Sequence, residues 1–236
     1  VLALLSGSSV MGDANEALWQ KIREAGRIDE VVAAYEALAA QKPNDPDMQT
    51  QLGQVYLQKL FGVGPGPAAG LWATKADAAF DRALSLEPTH WGARFTKAVS
   101  LSNWPAFLGK GGEAIKNFEM LVEQQKQGPA RDGYAETYLY LGNMYQQQGD
   151  AAKALAAWKA WWVRAQEKFP PIDPDRTKFL GERFTALAAE TSRSVLFEKL
   201  QEGEFYREDL RFFAEKLLGD STRNEKFVAS IVLKLY

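Results

Sequence analysis

At 236 residues, with 46% hydrophobic and 25% charged side chains, the chain has the composition of a folded protein of one large or two small domains. Its 28 basic and 30 acidic residues leave a formal net charge of −2; the signs are interspersed, and no basic run or aromatic–basic motif marks a nucleic-acid partner. Cysteine is absent and His90 is the single histidine, which excludes disulfides, thiolate zinc sites, cysteine nucleophiles and histidine-rich metal centres within one chain.

Val1 to Leu5 form an apolar run ahead of Ser6-Gly-Ser-Ser9. The run reads either as the tail of an export signal's apolar core or as the end of a native helix or strand. The first alternative leans toward an exported or periplasmic setting, with the cytoplasm next, and residues 1–11 are set apart as an extension. No apolar stretch approaches the ~20 residues that cross a bilayer as a helix.

Helical periodicity dominates from Glu16 onward. Between Glu16 and Ile22, apolar Ala17, Leu18 and Ile22 recur at three- to four-residue spacing, and Val31, Val32, Tyr35 and Leu38 repeat the pattern. Gly26-Arg27 separates the two segments, and Pro43-Asn-Asp-Pro46 closes the pair. So short a link favours an antiparallel helical hairpin. The unit then recurs. Gln49 to Lys59 carries Leu52, Gly53 and Tyr56, and its partner runs from about Thr74 to Leu86 with Ala76, Phe80, Ala83 and Leu84, stopping at Pro88. A third pair opens at Trp91 with Ala98 and Leu101, and continues from Glu113 to Gln124 with Ala114, Phe118, Leu121 and Val122. The fourth has Tyr138, Leu141, Gly142 and Tyr145, then Gly149-Asp150, then Ala154, Leu155 and Trp158.

In these positions the sequence resembles the tetratricopeptide repeat (TPR) family. Its roughly 34-residue unit places Leu-Gly and Tyr in a first helix, Ala, an aromatic and Ala in a second, and a closing Pro. Leu52-Gly53, Tyr56, Ala76, Phe80, Ala83 and Pro88 fit, as do Leu141-Gly142, Tyr145, Ala154 and Trp158. The first pair departs by having Trp19 where a small residue belongs; the third has Lys97 in place of the leucine before Ala98. The resemblance implies an all-α, right-handed α-α superhelix of about four pairs over residues 12–168. Small residues at Gly53, Ala98 and Gly142 let backbones approach, and rings fill the gap to the next unit.

Two turns are longer than the family's. Phe61 to Gly70 adds about eleven residues and Ser102 to Gly112 about four, at equivalent points that should emerge on one edge. The aromatics there, Trp72, Trp104 and Phe107, either fold back as a satellite core or present a binding patch. Beyond Pro170-Pro171 the pattern changes. Asp173-Pro174 suits a helix start, and residues 173–236 read as a long helix and two shorter ones that cap the array's apolar end.

Catalytic chemistry finds little support. Gly62 to Gly70 lacks the Lys-Ser/Thr of a phosphate loop, and Pro65 and Pro67 remove backbone donors. His90, at a repeat junction, reads as a turn or packing residue. No serine sits in a nucleophile elbow, and no cofactor is implied. The resemblance implies instead a concave face lined by first helices: Thr50, Gln54 and Gln58, then Phe95 and Val99, then Leu139, Asn143 and Gln147. Of the lysine, arginine and asparagine that clamp a terminal carboxylate in one TPR subclass, only Asn143 has a counterpart. Amides suit peptide backbone, since each offers donor and acceptor. The expectation is a non-catalytic scaffold binding a peptide or protein through that groove and the inserted loops, Trp104 and Phe107 included. The alternative is an accessory protein that holds a small apolar ligand between groove and loops.

Overall fold

A computed structural model of the chain describes residues 9–129 and 133–165, together with Lys178 and Glu182, both helical. Apart from those two positions, the expected cap at 173–236 lies outside the described residues, as do residues 1–8. The described residues form eight α-helices and no strand: α1 Ser9–Glu24, α2 Ile28–Gln41, α3 Pro46–Phe61, α4 Pro67–Leu86, α5 Trp91–Ser102, α6 Gly111–Gln125, α7 Tyr134–Gln147 and α8 Ala151–Ala165. One 3-10 turn, Ala106–Leu108, sits between α5 and α6. The chain divides into two units, Val1–Met144 and Tyr145–Tyr236, with the division inside α7.

Local chemistry sets the boundaries. Helix α3 begins where Asp45 accepts a hydrogen bond from the Met48 N–H (3.1 Å) and Pro46 takes the first helical position, where its missing donor costs nothing. The segment before α4 departs from the sequence reading. Residues 67–70 are helical rather than loop, because Pro67 starts a helix as Pro46 does. The open turn shrinks to residues 62–66, and Gly66 at φ 150° makes the corner in a region only glycine occupies readily. The first long turn is therefore mostly helix extension, whereas the second is a 3-10 turn closed by Gly109 at φ 70°. The two are not equivalent insertions.

Packing in the first unit follows the small-and-large logic of the sequence. Ala76, Phe80, Ala83, Ala98, Ala114, Phe118 and Leu121 are all fully buried. Val32, Leu52, Val55, Tyr56 and Phe80 form one core, against which Trp19, Tyr35 and Trp72 lie partly buried. Helix α1 is turned from its expected setting: Leu18 is 56% exposed, and Trp19 supplies the contact instead. The bulky indole occupies the face that a small residue would leave open.

Helices α3 and α4 approach closely at Gly53. A Cβ built there would lie 2.5 Å from Phe80 Cε1 and 2.8 Å from Cζ, well inside van der Waals contact. Aromatic and backbone are thus in direct apposition. In the second unit, Gly149 (φ 82°) leads into α8, whose first turn is capped by Asp150 accepting from Lys153 N–H at 3.1 Å. Ala154, Ala157, Trp158 and Trp161 are buried there.

Gly53→Ala tests the apposition. Alanine favours a helix interior by about 1 kcal/mol, yet overpacking at this site is expected to reverse the sign and cost a net ~1–3 kcal/mol, read from urea unfolding.

Candidate functional site

Of the eight candidate residues on the first helices, five are spent on packing. Thr50 is buried, its hydroxyl donating to the Pro46 carbonyl at 2.8 Å. Gln58 is buried and accepts from Arg23 Nη1 at 2.7 Å, tying α1 to α3. Phe95 is the middle of an aromatic stack: Trp91 lies parallel at 4.7 Å, with Phe118 and Tyr140 edge-on at 6.3 and 5.8 Å. Val99 and Leu139 are buried as well. A partner cannot reach these five without parting the helices. Gln54 and Asn143 are half-buried and Gln147 is exposed, so polar surface in this register is offered by amides alone. Gln147 falls in the second unit; Gln54 and Asn143 belong to the first.

The loop aromatics divide. Trp72 folds back onto Tyr56 at 5.7 Å, with Lys75 Nζ 4.7 Å from its ring centroid. Trp104 is half-buried, with Lys110 Nζ 5.7 Å from its ring. Phe107, by contrast, is 86% exposed and Leu108 is exposed beside it. The turn that carries them is held by backbone bonds from Leu108 N to Pro105 O (2.9 Å) and Gly109 N to Ala106 O (3.1 Å). Asn103 Nδ2 donates to Val99 O at 2.7 Å.

Ionisable chemistry inside the first unit is concentrated where the sequence looked least regular. Lys97, standing where the repeat pattern has leucine, is buried with its ammonium 2.6 Å from Asp81 Oδ1, 3.0 Å from Glu113 Oε1 and 3.3 Å from Asp77 Oδ1. Burial opposes its charge, but the hydrogen bonds to Asp81 and Glu113 and the fields of Asp77 and Asp81 outweigh it and hold the ammonium well above the usual lysine range. The same bond from Lys97, with a second from Lys110, holds Glu113 below the ordinary carboxyl range against a smaller opposing effect of burial. One cation thereby joins α4, α5 and α6.

A second cluster joins α2, α3 and α4. The Tyr56 hydroxyl donates to Glu36 Oε1 at 2.8 Å, and Lys75 reaches the same oxygen at 3.1 Å. Burial, then the bond to Glu36, pushes the phenol well above its usual value. Glu36 is held low, first by Tyr56 and then by Lys75, with burial opposing. Arg94, buried in α5, donates to Pro88 O (2.6 Å) and Asn117 Oδ1 (3.2 Å), and desolvation lowers its affinity for the proton. Gln125 links α5, α6 and α7: with its amide set to satisfy its neighbours, the oxygen accepts from Trp91 Nε1 (3.2 Å) and Thr137 Oγ1 (2.7 Å).

His90 is a cap. Its Nδ1 accepts from Ala93 N–H at 3.0 Å, which leaves the proton on Nε2 to be donated to Asp47 Oδ1 at 2.9 Å. The ring therefore pins the start of α5 to the first turn of α3. Among the described residues no group of three or more histidines and carboxylates could hold a metal ion, and no helix is long and apolar enough to cross a membrane. Sequence reasoning missed the Lys97 network. Its signal was a lysine at an apolar repeat position facing a helix with aspartates four residues apart.

No protein-family model and no curated protein matches the sequence. Solved structures do. The human IFIT1 dimer with m7Gppp-AAAA is similar over 97% of this chain, with a TM-score of 0.53 at 16% identity; the chain spans 51% of it, about half its length. A thermophilic TPR protein of Thermus thermophilus, TTC0263, matches 63% of this chain and 71% of its own at 15% identity, with a TM-score of 0.48. MamA from Desulfovibrio magneticus RS-1 matches 90% and 97% at 17% identity and 0.47. Identities this low concern the fold.

Acid should expose the two carboxylate clusters. Glu36 and Glu113 titrate below their unfolded value of about 4.3, so their stabilisation is complete above that pH and is lost as pH falls through the folded values. Unfolding measured between about pH 5 and 3 should therefore show a shallower decline in Glu36→Gln/Glu113→Gln than in the wild type. The apolar matches in register, the close approach at Gly53 and the likeness to the IFIT1 structure agree: the chain has a TPR-like helical-repeat fold.

Proposed function

We propose that the chain is a non-catalytic protein-interaction scaffold whose first-helix face takes a peptide or protein partner. The observation that carries this reading is how the interior charges are used. Lys97, Arg94, Glu36, Glu113 and Tyr56 are each bonded between helices. Groups of this kind in an active site would be poised to exchange protons near neutrality; here the partners of Lys97, Glu36, Glu113 and Tyr56 drive each further from exchange, and Arg94 is spent on the Pro88 carbonyl and Asn117. Polar chemistry is invested in rigidity, and rigidity favours binding by lowering the ordering cost of association.

What the first unit offers a partner on this face is amide. Gln54 and Asn143 occupy the same repeat position, one after each matched glycine, and keep accessible surface. Each side chain has both donor and acceptor, the complement of a peptide group. Trp104 and Phe107 lie at the hairpin edge, apart from this row, and form a second surface. The even charge balance and the lack of a basic stripe favour protein over nucleic acid as the occupant of the amide face.

Gln54→Ala/Asn143→Ala is expected to lower partner capture from native extract about tenfold, a loss of roughly 1.4 kcal/mol, with the melting temperature nearly unchanged. Unaltered capture would count against the amide face.

A further inference from the structure

The hairpin edge of the first unit carries a chemistry the amide face does not. Helix α3 ends at Phe61, α4 starts at Pro67, α5 ends at Ser102 and α6 starts at Gly111. Antiparallel pairing puts these four termini at one end of the unit. The ion pair between Lys97 and Asp81 sets the level of α5 against α4. From it, α4 runs back about 21 Å to its start while α5 runs on only about 7 Å, so α4 begins well beyond the end of α5, on the side from which the 103–109 turn leaves. Four large apolar side chains on this edge are exposed: Phe61 (46%), Leu71 (56%), Phe107 (86%) and Leu108 (47%).

Charge is excluded from the same segments. Between Lys59 and Lys75, and again between Lys97 and Lys110, the sequence has no ionisable side chain, and the first to appear on either side is a lysine every time. Behind the apolar tips stand the half-buried indoles Trp72 and Trp104, and an ammonium lies over each ring, Lys75 at 4.7 Å and Lys110 at 5.7 Å. Tip and indole thus match the acyl chain and interface that a bilayer presents in turn. We propose that this edge rests on a lipid surface, with Phe107 and Leu108 inserted below the headgroups and no segment crossing.

Two features favour lipid over a protein groove. The two groups that would insert, Phe107 and Leu108, stand on a closed 3-10 turn, so a protein would need a matching pocket, whereas acyl chains conform to any projection. The flanking lysines already have partners, Lys75 with Glu36 and Lys110 with Glu113, so attraction rests on apolar area and needs no acidic partner surface.

Flotation of the full chain with vesicles provides the test, one set pure phosphatidylcholine and another mixed with phosphatidylglycerol. The wild type should float with both, and Phe107→Ser/Leu108→Ser should lower the partition coefficient at least about tenfold. Circular dichroism and thermal unfolding should be unchanged, since both side chains are exposed. Gln54→Ala/Asn143→Ala should float like the wild type, which separates this proposal from the amide face. Failure of the wild type to float with either vesicle, or flotation indifferent to the serine substitutions, overturns it. Flotation confined to the anionic vesicles overturns it too, because the lysines would then be the anchor. So does a wild-type dimer that the serine substitutions dissociate, which would give the edge to a second copy.

Discussion

The distance between α3 and α4 constrains everything built on the first unit. It is set where the Phe80 ring lies against the backbone of Gly53, so close that one added methyl group would overlap it. The apposition places Tyr56 against Trp72 and brings Glu36, Tyr56 and Lys75 to a single oxygen. Dispersion across such a contact falls off steeply with separation. A wider gap would forfeit the packing of the ring and leave the polar cluster on its flank out of hydrogen-bond reach.

Between hairpins the constraint is electrostatic. Lys97 replaces an apolar residue and finds carboxylates on both neighbouring helices. A buried ion network contributes less to stability than its Coulomb energy suggests, because desolvation consumes much of the gain. Its geometry is more exacting than that of an apolar contact, however. A leucine at this place would tolerate sliding of α4 past α5, whereas an ammonium held at 2.6 and 3.0 Å would not. The His90 ring, bonded to Ala93 N–H and Asp47, fixes the other end of α5 in the same manner. Together these bonds give the unit a firm frame, and its two surfaces, amide on one side and apolar at the hairpin edge, inherit that firmness.

Much of the helical frame was legible in residue spacing, because the burial of Ala76, Phe80, Ala98, Ala114 and Phe118 is the three- and four-residue periodicity itself. The extra turns of α4 were not legible, since Pro67 can open a helix or break one and only its neighbours decide. Leu18 and Trp19 show a related limit: adjacent positions differ by about 100° around a helix, and periodicity over one short segment cannot tell which of them faces inward. The groove positions were named from repeat register, which assigns a direction but not a depth. Phe95 and Leu139 are both buried, Phe95 among Trp91, Phe118 and Tyr140. Lys97 looked like a flaw in the pattern. Its three carboxylates lie 16 to 20 residues away in either direction, beyond any local spacing rule.

A double-mutant cycle between Gly53→Ala and Phe80→Leu measures the close approach directly. Leucine is shorter than phenylalanine and leaves room for the added methyl, so the pair should couple: the double mutant is expected to be more stable than the sum of the single losses by about 1 kcal/mol or more. Losses that add to within about 0.5 kcal/mol would show that the two residues do not feel each other, contradicting the contact from which the rest of the unit is built.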